Sequence, residues 1–137
     1  MAQAIEVVQG IYSAFQRGDV PAILAAMSDD VAWEAWSDNT AQTSGVPWLK
    51  GGQGKAAVAE FFGVVGQMKI HDFQVLDFLA NDRQVAVEVA IDATVAGGAR
   101  YRDEEVHLWT LDATGKVTRL RHYTDTAKHI KAAGLGA

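Results

Sequence analysis

The sequence predicts an α+β fold in which a curved antiparallel sheet wraps around three N-terminal helices and encloses an internal pocket. Apolar residues recur at helical spacing in the first half of the chain, and from residue 70 their period changes to two. Short turn-forming connections separate the later strand segments, which favours an antiparallel meander. The 137 residues, 49% of them hydrophobic, fit one domain spanning 1–137.

The helices and the first strand come from residues 4–36. Residues 4–17 place apolar side chains on one face of a first helix, and Asp19 can cap a short second helix. Strand formers in residues 31–36 then predict a strand with Trp33 on one side and Glu34 on the other.

Polar and glycine-rich residues over 37–54 predict a long irregular loop, which is a common form for a lid. A third helix is expected over 55–67 and a last short one over about 126–133. Alternating apolar residues predict four strands in between, at 70–80, 83–95, 100–111 and 116–124.

Composition excludes several classes of protein. The formal net charge of -5 argues against binding to nucleic acid, because phosphate backbones require a basic surface. The absence of cysteine removes disulfides and thiolate nucleophiles and suits the cytoplasm. No apolar run approaches 18 residues, so we expect no membrane span and no membrane partner.

Titratable residues cluster on the last predicted hairpin. His107 lies on its first strand, and His122 and Asp125 lie on its second strand and exit. A four-residue turn at 112–115 would place His107 opposite Leu120, so that the two histidines become diagonal neighbours on one face, roughly 7–8 Å apart. Asp125 falls on the opposite face in that register, and a one-residue shift would reverse the assignment.

Several short motifs, together with the element order, carry a resemblance across essentially the whole chain. They are Arg17-Gly18-Asp19, Asp29-Asp30-Val31, Gly54-Lys55, Gly115-Lys116-Val117 and Tyr123-Thr124-Asp125-Thr126-Ala127. The chain resembles the nuclear transport factor 2-like superfamily, and within it the SnoaL-like branch. That resemblance implies a cone-shaped roll, and the superfamily holds isomerases, polyketide cyclases, dehydratases and non-catalytic binders, so it indicates fold better than function.

The ketosteroid isomerases of that superfamily use a tyrosine and two aspartates, whose positions here fall on Ile11, Ala35 and His107. Their mechanism is therefore disfavoured. The chain instead resembles SnoaL-like polyketide cyclases, which have a histidine and an aspartate at the positions of His107 and Asp125. That resemblance implies that Asp125 moves the substrate proton while His107 and its neighbours donate hydrogen bonds to the enolate.

We therefore expect a cofactor-independent isomerase, cyclase or lyase that acts by proton transfer on a small, mostly apolar organic substrate. The alternative is a non-catalytic ligand-binding or dimerisation module of the same fold. The candidate catalytic residues are His107, His122 and Asp125, and Asp125 could equally cap the last helix. The candidate substrate-binding residues are Tyr12, Trp33, Phe61, Trp109 and Thr124.

Three further expectations concern metal, charge and assembly. His71 and His129 lack ligand-like spacing, so no metal is predicted. The acidic run 103–105 reads as a solvated strand start, although Glu105 would share the face of His107. Apolar residues on both faces of the meander predict a homodimer that pairs through the outer face of the sheet.

Overall fold

The computed structural model describes residues 3–36 and 38–135. Ser37 of the predicted loop and the ends of the predicted domain, 1–2 and 136–137, lie outside the described residues. The helices are α1 (Ala4–Gln16), α2 (Val20–Ala25), α3 (Thr40–Ser44), α4 (Lys55–Val65) and α5 (Thr126–Ala132), with a 3-10 turn at Pro47–Leu49. The strands are β1 (Met27–Trp33), β2 (Gly52–Gln53), β3 (Lys69–Ala80), β4 (Gln84–Thr94), β5 (Arg100–Leu111) and β6 (Val117–Tyr123).

These strands form one curved, open sheet in the order β2-β1-β6-β5-β4-β3. The meander from β3 to β6 is antiparallel, as predicted. The sheet as a whole is mixed, because β1 runs parallel to β6. The two strands are distant in sequence, so no tight hairpin imposes an antiparallel pairing on them.

The register of the last hairpin differs from the predicted one by two residues. His107 pairs directly with His122, and Trp109 rather than His107 lies opposite Leu120. This shift of two residues has two causes. The turn is one residue longer than predicted, because Leu111 pairs with Val117, and a bulge between Thr110 and Leu111 shifts the register by one more residue. A shift of two preserves the faces, so the two histidines stay on the same side of the sheet.

The core lies between the concave face of the sheet and helices α1, α2 and α4. Val85, Val87 and Val89 of β4 are fully buried in it, as alternation along a half-covered strand requires. Among residues 3–36 and 38–135, no helix combines the length and apolar character needed to cross a bilayer.

The segment predicted as an irregular loop is folded and packed. It contains α3, the 3-10 turn and β2, and four of its side chains are buried in a second apolar cluster that also includes Tyr101. These buried residues are Ala41, Val46, Trp48 and Leu49. The prediction of an irregular loop is therefore wrong, because its apolar side chains gain burial when the segment folds onto the end of the sheet.

Candidate active site

A cavity of about 90 Å³ lies between α1, α4 and the concave face of the sheet. Most of its lining is aromatic or aliphatic, and hydrogen bonds connect five of the lining residues: Tyr12, Glu34, Glu105, His107 and His122. The lining includes six of the residues proposed from the sequence: Tyr12, Trp33, Phe61, His107, Trp109 and His122. Thr124 and Asp125 are not among its lining residues.

His122 lies between two buried carboxylates. Its Nδ1 is 3.0 Å from Glu34 Oε1, and its Nε2 is 2.7 Å from Glu105 Oε1. Since a carboxylate only accepts, both ring nitrogens carry hydrogen and the ring is an imidazolium. Burial alone would lower the pKa of His122, but the charges of Glu34 and Glu105 and their hydrogen bonds outweigh burial and raise it well above the usual value.

His107 is the direct cross-strand neighbour of His122 and is neutral. Its Nε2 lies 3.1 Å from Nε2 of His122, and its Nδ1 lies 2.5 Å from the hydroxyl oxygen of Tyr12. Burial, followed by repulsion from the charged His122, lowers the pKa of His107. The hairpin therefore presents one charged and one neutral imidazole side by side.

Tyr12 connects this pair to α1. Besides its contact with His107, its oxygen accepts a 3.0 Å hydrogen bond from the indole N–H of Trp109 on β5. The rings of Tyr12 and His107 also stack, with centroids 5.9 Å apart. Burial raises the pKa of Tyr12, so its hydroxyl stays protonated.

Glu34 enters the cavity because the backbone turns at the end of β1. Its φ of 50° is left-handed, which is uncommon for a residue other than glycine. Gln42 of α3 holds this turn by donating a 2.7 Å hydrogen bond to the carbonyl of Glu34. Alternation had predicted Glu34 on the side opposite Trp33, and the left-handed turn breaks that alternation, so both line the cavity. The sequence did carry one signal that Glu34 is a site residue, because this acidic residue lies within the aromatic-rich segment Trp33-Glu34-Ala35-Trp36.

Glu105 joins this site to a second buried cluster. Its burial would raise its pKa, but the charge of His122 and hydrogen bonds from three histidines hold it well below the usual value. Nε2 of His129 on α5 lies 2.9 Å from both Glu105 Oε2 and Asp103 Oδ2. Trp48 donates a 2.8 Å hydrogen bond to Nδ1 of His129, which is fully buried.

This second cluster corrects two sequence-based expectations. The acidic run 103–105 was expected to be solvated, but the side chains of Asp103 and Glu105 are buried, with only 6% and 4% of their surface exposed. His129 is far from the hairpin in sequence but returns to it through α5, a contact that spacing along the chain could not reveal.

Asp125 lies outside the cavity, on the exposed surface at the start of α5. Its carboxylate accepts from the backbone N–H of Lys128 and so caps the helix, the alternative that the sequence left open. Its backbone N–H donates to Asp103 at 3.1 Å. The structure thus gives Asp125 a capping position, and Glu34 and Glu105 supply the carboxylates beside the histidines.

In the part of the chain that the structure describes, two groups of side chains have the atom types of a metal site. They are Glu105 with His107 and His122, and Asp103 with Glu105 and His129, with ligand atoms within 4.8 Å of one another in each group. In the structure these atoms contact one another at hydrogen-bonding distances. The sequence-based expectation of no metal stays a prediction.

Comparison with known proteins identifies relatives of the fold. A family model described as a SnoaL-like domain matches residues 8–120. Among solved structures, a nuclear transport factor 2-like protein from Burkholderia pseudomallei has a TM-score of 0.76 and 25% identity, with 100% of each chain covered. No curated protein gives a significant match.

Two further structures share the fold at lower identity. A protein from Pseudomonas putida assigned as a polyketide cyclase has a TM-score of 0.70 and 22% identity, covering 96% of this chain and 98% of its own. TerC, co-crystallised with polyporic acid, has a TM-score of 0.72 and 24% identity, covering 97% and 99%.

Proposed function

Because the chain belongs to the SnoaL-like domain family, within the nuclear transport factor 2-like superfamily, we propose that it is a cofactor-independent proton-transfer enzyme. It acts as an isomerase, cyclase or lyase on a small, mostly apolar organic molecule with an enolisable carbonyl group. The observation that carries this proposal is the buried imidazolium of His122, held between two carboxylates beside neutral His107 at an aromatic cavity.

Glu34 is the base in this proposal. His122 engages Oε1 of Glu34, and the other oxygen has no hydrogen-bond partner among the described residues. That oxygen takes a proton from the carbon next to the substrate carbonyl, and the C–H electron pair moves to form the enolate. The protonated Glu34 then returns the proton to another carbon, or the enolate expels a leaving group, which distinguishes an isomerase from a lyase.

The cavity wall sets the substrate class. Its aromatic lining favours a flat apolar ligand, and the indole N–H of Trp33 is buried without a partner in the described part of the chain. An oxygen on the ligand would satisfy that donor.

The test uses 2-indanone, a small aromatic ketone with acidic α-hydrogens, in deuterated buffer. Nuclear magnetic resonance should show that the protein accelerates exchange of these hydrogens, and Glu34→Gln should reduce the acceleration by about 100-fold or more. Glu104→Gln, which changes an exposed carboxylate on the same strand as Glu105, should exchange at the wild-type rate.

Asp125→Asn distinguishes this proposal from the role that the family resemblance implies. Asparagine caps helices as well as aspartate does, so the fold is retained. Wild-type exchange in Asp125→Asn supports Glu34 as the base. Lost exchange in Asp125→Asn with wild-type exchange in Glu34→Gln would overturn the assignment, and binding of 2-indanone without any acceleration would favour the non-catalytic binding module.

A further inference from the structure

Three atoms of the kinds that bind metal ions converge at the cavity: Nε2 of His107, Nε2 of His122 and Oε1 of Glu105. We propose that they form a binding site for a divalent transition-metal ion such as Zn²⁺, which replaces the hydrogen on Nε2 of His122. The inference does not depend on the proposed function, which concerns the protein with that hydrogen in place. The sequence-based expectation of no metal considered spacing along the chain, whereas strand pairing brings the two histidines together.

The separations of the three atoms fit a single ion. Nε2 of His122 lies 3.1 Å from Nε2 of His107 and 2.7 Å from Oε1 of Glu105, and Nε2 of His107 lies 3.7 Å from that oxygen. A circle through the three atoms has a radius of about 1.9 Å, slightly less than the length of about 2.0–2.2 Å of zinc bonds to nitrogen and carboxylate oxygen. One point therefore lies at bonding distance from all three atoms.

The three atoms have only one hydrogen between them. It lies on Nε2 of His122 and is bound to Glu105, the closer neighbour at 2.7 Å, so Nε2 of His107 at 3.1 Å receives at most a share of it. A second hydrogen, on Nε2 of His107, would point at that N–H group. Buried polar atoms in folded proteins are rarely left without partners, and an ion bound to all three lone pairs would satisfy each of them.

The Nδ1 atoms of both imidazoles have partners of the kind found around metal sites, where the second ring nitrogen of a ligating histidine usually donates to an oxygen atom. Nδ1 of His122 lies 3.0 Å from Oε1 of Glu34, and Nδ1 of His107 contacts the hydroxyl oxygen of Tyr12. A hydrogen on Nδ1 leaves the lone pair on Nε2, the atom that faces the ion. Both rings are therefore oriented for the ion before it binds.

Charge and access also favour a cation at this position. With the hydrogen in place, His122 and its two carboxylates, Glu34 and Glu105, carry one net negative charge in largely apolar surroundings. A divalent ion in place of that proton, which leaves to solvent, makes the group neutral. His107, His122 and Glu105 all line the cavity, so the ion reaches them from the cavity and keeps a coordination position open toward it.

The donor set selects the class of ion. Two imidazole nitrogens and one carboxylate oxygen suit Zn²⁺ and similar transition-metal ions, whereas Mg²⁺ and Ca²⁺ prefer oxygen. The second group, Asp103, Glu105 and His129, offers only oxygen, because Trp48 donates to Nδ1 of His129 and the hydrogen of that ring lies on Nε2. The site is therefore assigned to the first group.

Isothermal titration calorimetry with zinc chloride, after removal of any bound metal with a chelator, tests the site. Wild-type protein should bind one Zn²⁺ per chain, and His107→Phe, which keeps a flat ring but removes the ligand nitrogen, should weaken binding about 100-fold or more. His71→Phe is the matched control and should bind Zn²⁺ as the wild type does, because His71 is exposed on β3 and belongs to neither group. An excess of Mg²⁺ should not compete.

X-ray absorption at the zinc edge of the wild-type complex is a measurement that misfolding of a variant cannot confound. Its spectrum should show two imidazoles among ligands at about 2.0–2.2 Å. No zinc binding by the wild type, equal affinity in the wild type and folded His107→Phe, or a spectrum with fewer than two imidazoles would each overturn the inference. Loss of binding in Asp103→Asn but not in His107→Phe would move the ion to the second group and overturn it as well.

Discussion

Replacing Glu34 by glutamine should destabilise the folded protein by about 3 kcal/mol, because it removes one of the two carboxylates that hold the charge of His122. Glutamine has nearly the same shape and retains an oxygen that can accept from Nδ1. The change therefore isolates the loss of charge from a loss of packing.

The magnitude follows from the geometry. Two unit charges 3.0 Å apart attract by about 5.5 kcal/mol at an effective dielectric constant of about 20. Removing one partner of a buried pair costs about 3–5 kcal/mol in general, and the low end applies here because Glu105 still neutralises His122 at 2.7 Å. Both side chains are shielded from solvent, with exposures of 10% for His122 and 3% for Glu34.

The pH dependence has a definite sign. The pKa of His122 is raised in the folded protein, so its stabilising contribution is complete below the ordinary imidazole pKa of about 6.5 and is lost as pH rises through the folded pKa. The deficit of Glu34→Gln should therefore be largest in mildly acidic solution and shrink at alkaline pH. The groups facing His122 that define this response are Glu34, Glu105 and His107.

Urea unfolding monitored by circular dichroism, at one fixed protein concentration, measures this change. With a slope of about 2 kcal/mol per molar urea, the midpoint should fall by about 1.5 M. Glu104→Gln is the control, and exposed substitutions of that kind stay within about 0.5 kcal/mol. Equal midpoints for the two variants, or a deficit that does not vary with pH, would refute the charged state assigned to His122.

Two more predictions concern a buried hydrogen bond and the outer face of the sheet. Trp48→Phe removes the donor to Nδ1 of buried His129 and should lower the free energy of unfolding, measured with urea, by about 1–3 kcal/mol. Trp36→Phe changes a half-buried tryptophan and is the control. An equal loss of stability in both variants would contradict the prediction. Leu108→Asp should dissociate the predicted homodimer, because Leu108 points outward from the centre of the sheet. Leu135→Asp, a change at an exposed residue near the C-terminus, should leave the dimer intact. Light scattering after size-exclusion chromatography measures the molar mass of both variants.

Most strands and helices could be predicted closely because their signals are local, but β1 (Met27–Trp33) is displaced from the predicted strand at 31–36, and α3 and β2 were not predicted. The predicted strand at 100–111 coincides with β5 (Arg100–Leu111), since alternation and glycine turns report the backbone directly. The predicted cap at Asp19 is confirmed by its 3.1 Å hydrogen bond from Ala22. The parallel pairing of β1 with β6 was missed, because it joins segments that no turn connects.

The candidate site was predicted only in part, for equally physical reasons. His107 and His122 could be placed on one face because strand alternation survives a register shift of two. Glu34 could not, because its φ of 50° depends on Gln42 in a segment that reads as a loop. His129 could not be placed in the site either, because α5 brings it against Asp103 of β5 through a contact that no pattern in the sequence indicates.

The charges around the cavity bear on what it can bind. One imidazolium, His122, faces two carboxylates, Glu34 and Glu105, so this group carries one net negative charge inside aromatic walls. A ligand that is already an anion would meet repulsion there, whereas a neutral carbonyl compound would not. The arrangement therefore favours neutral ketones over carboxylates.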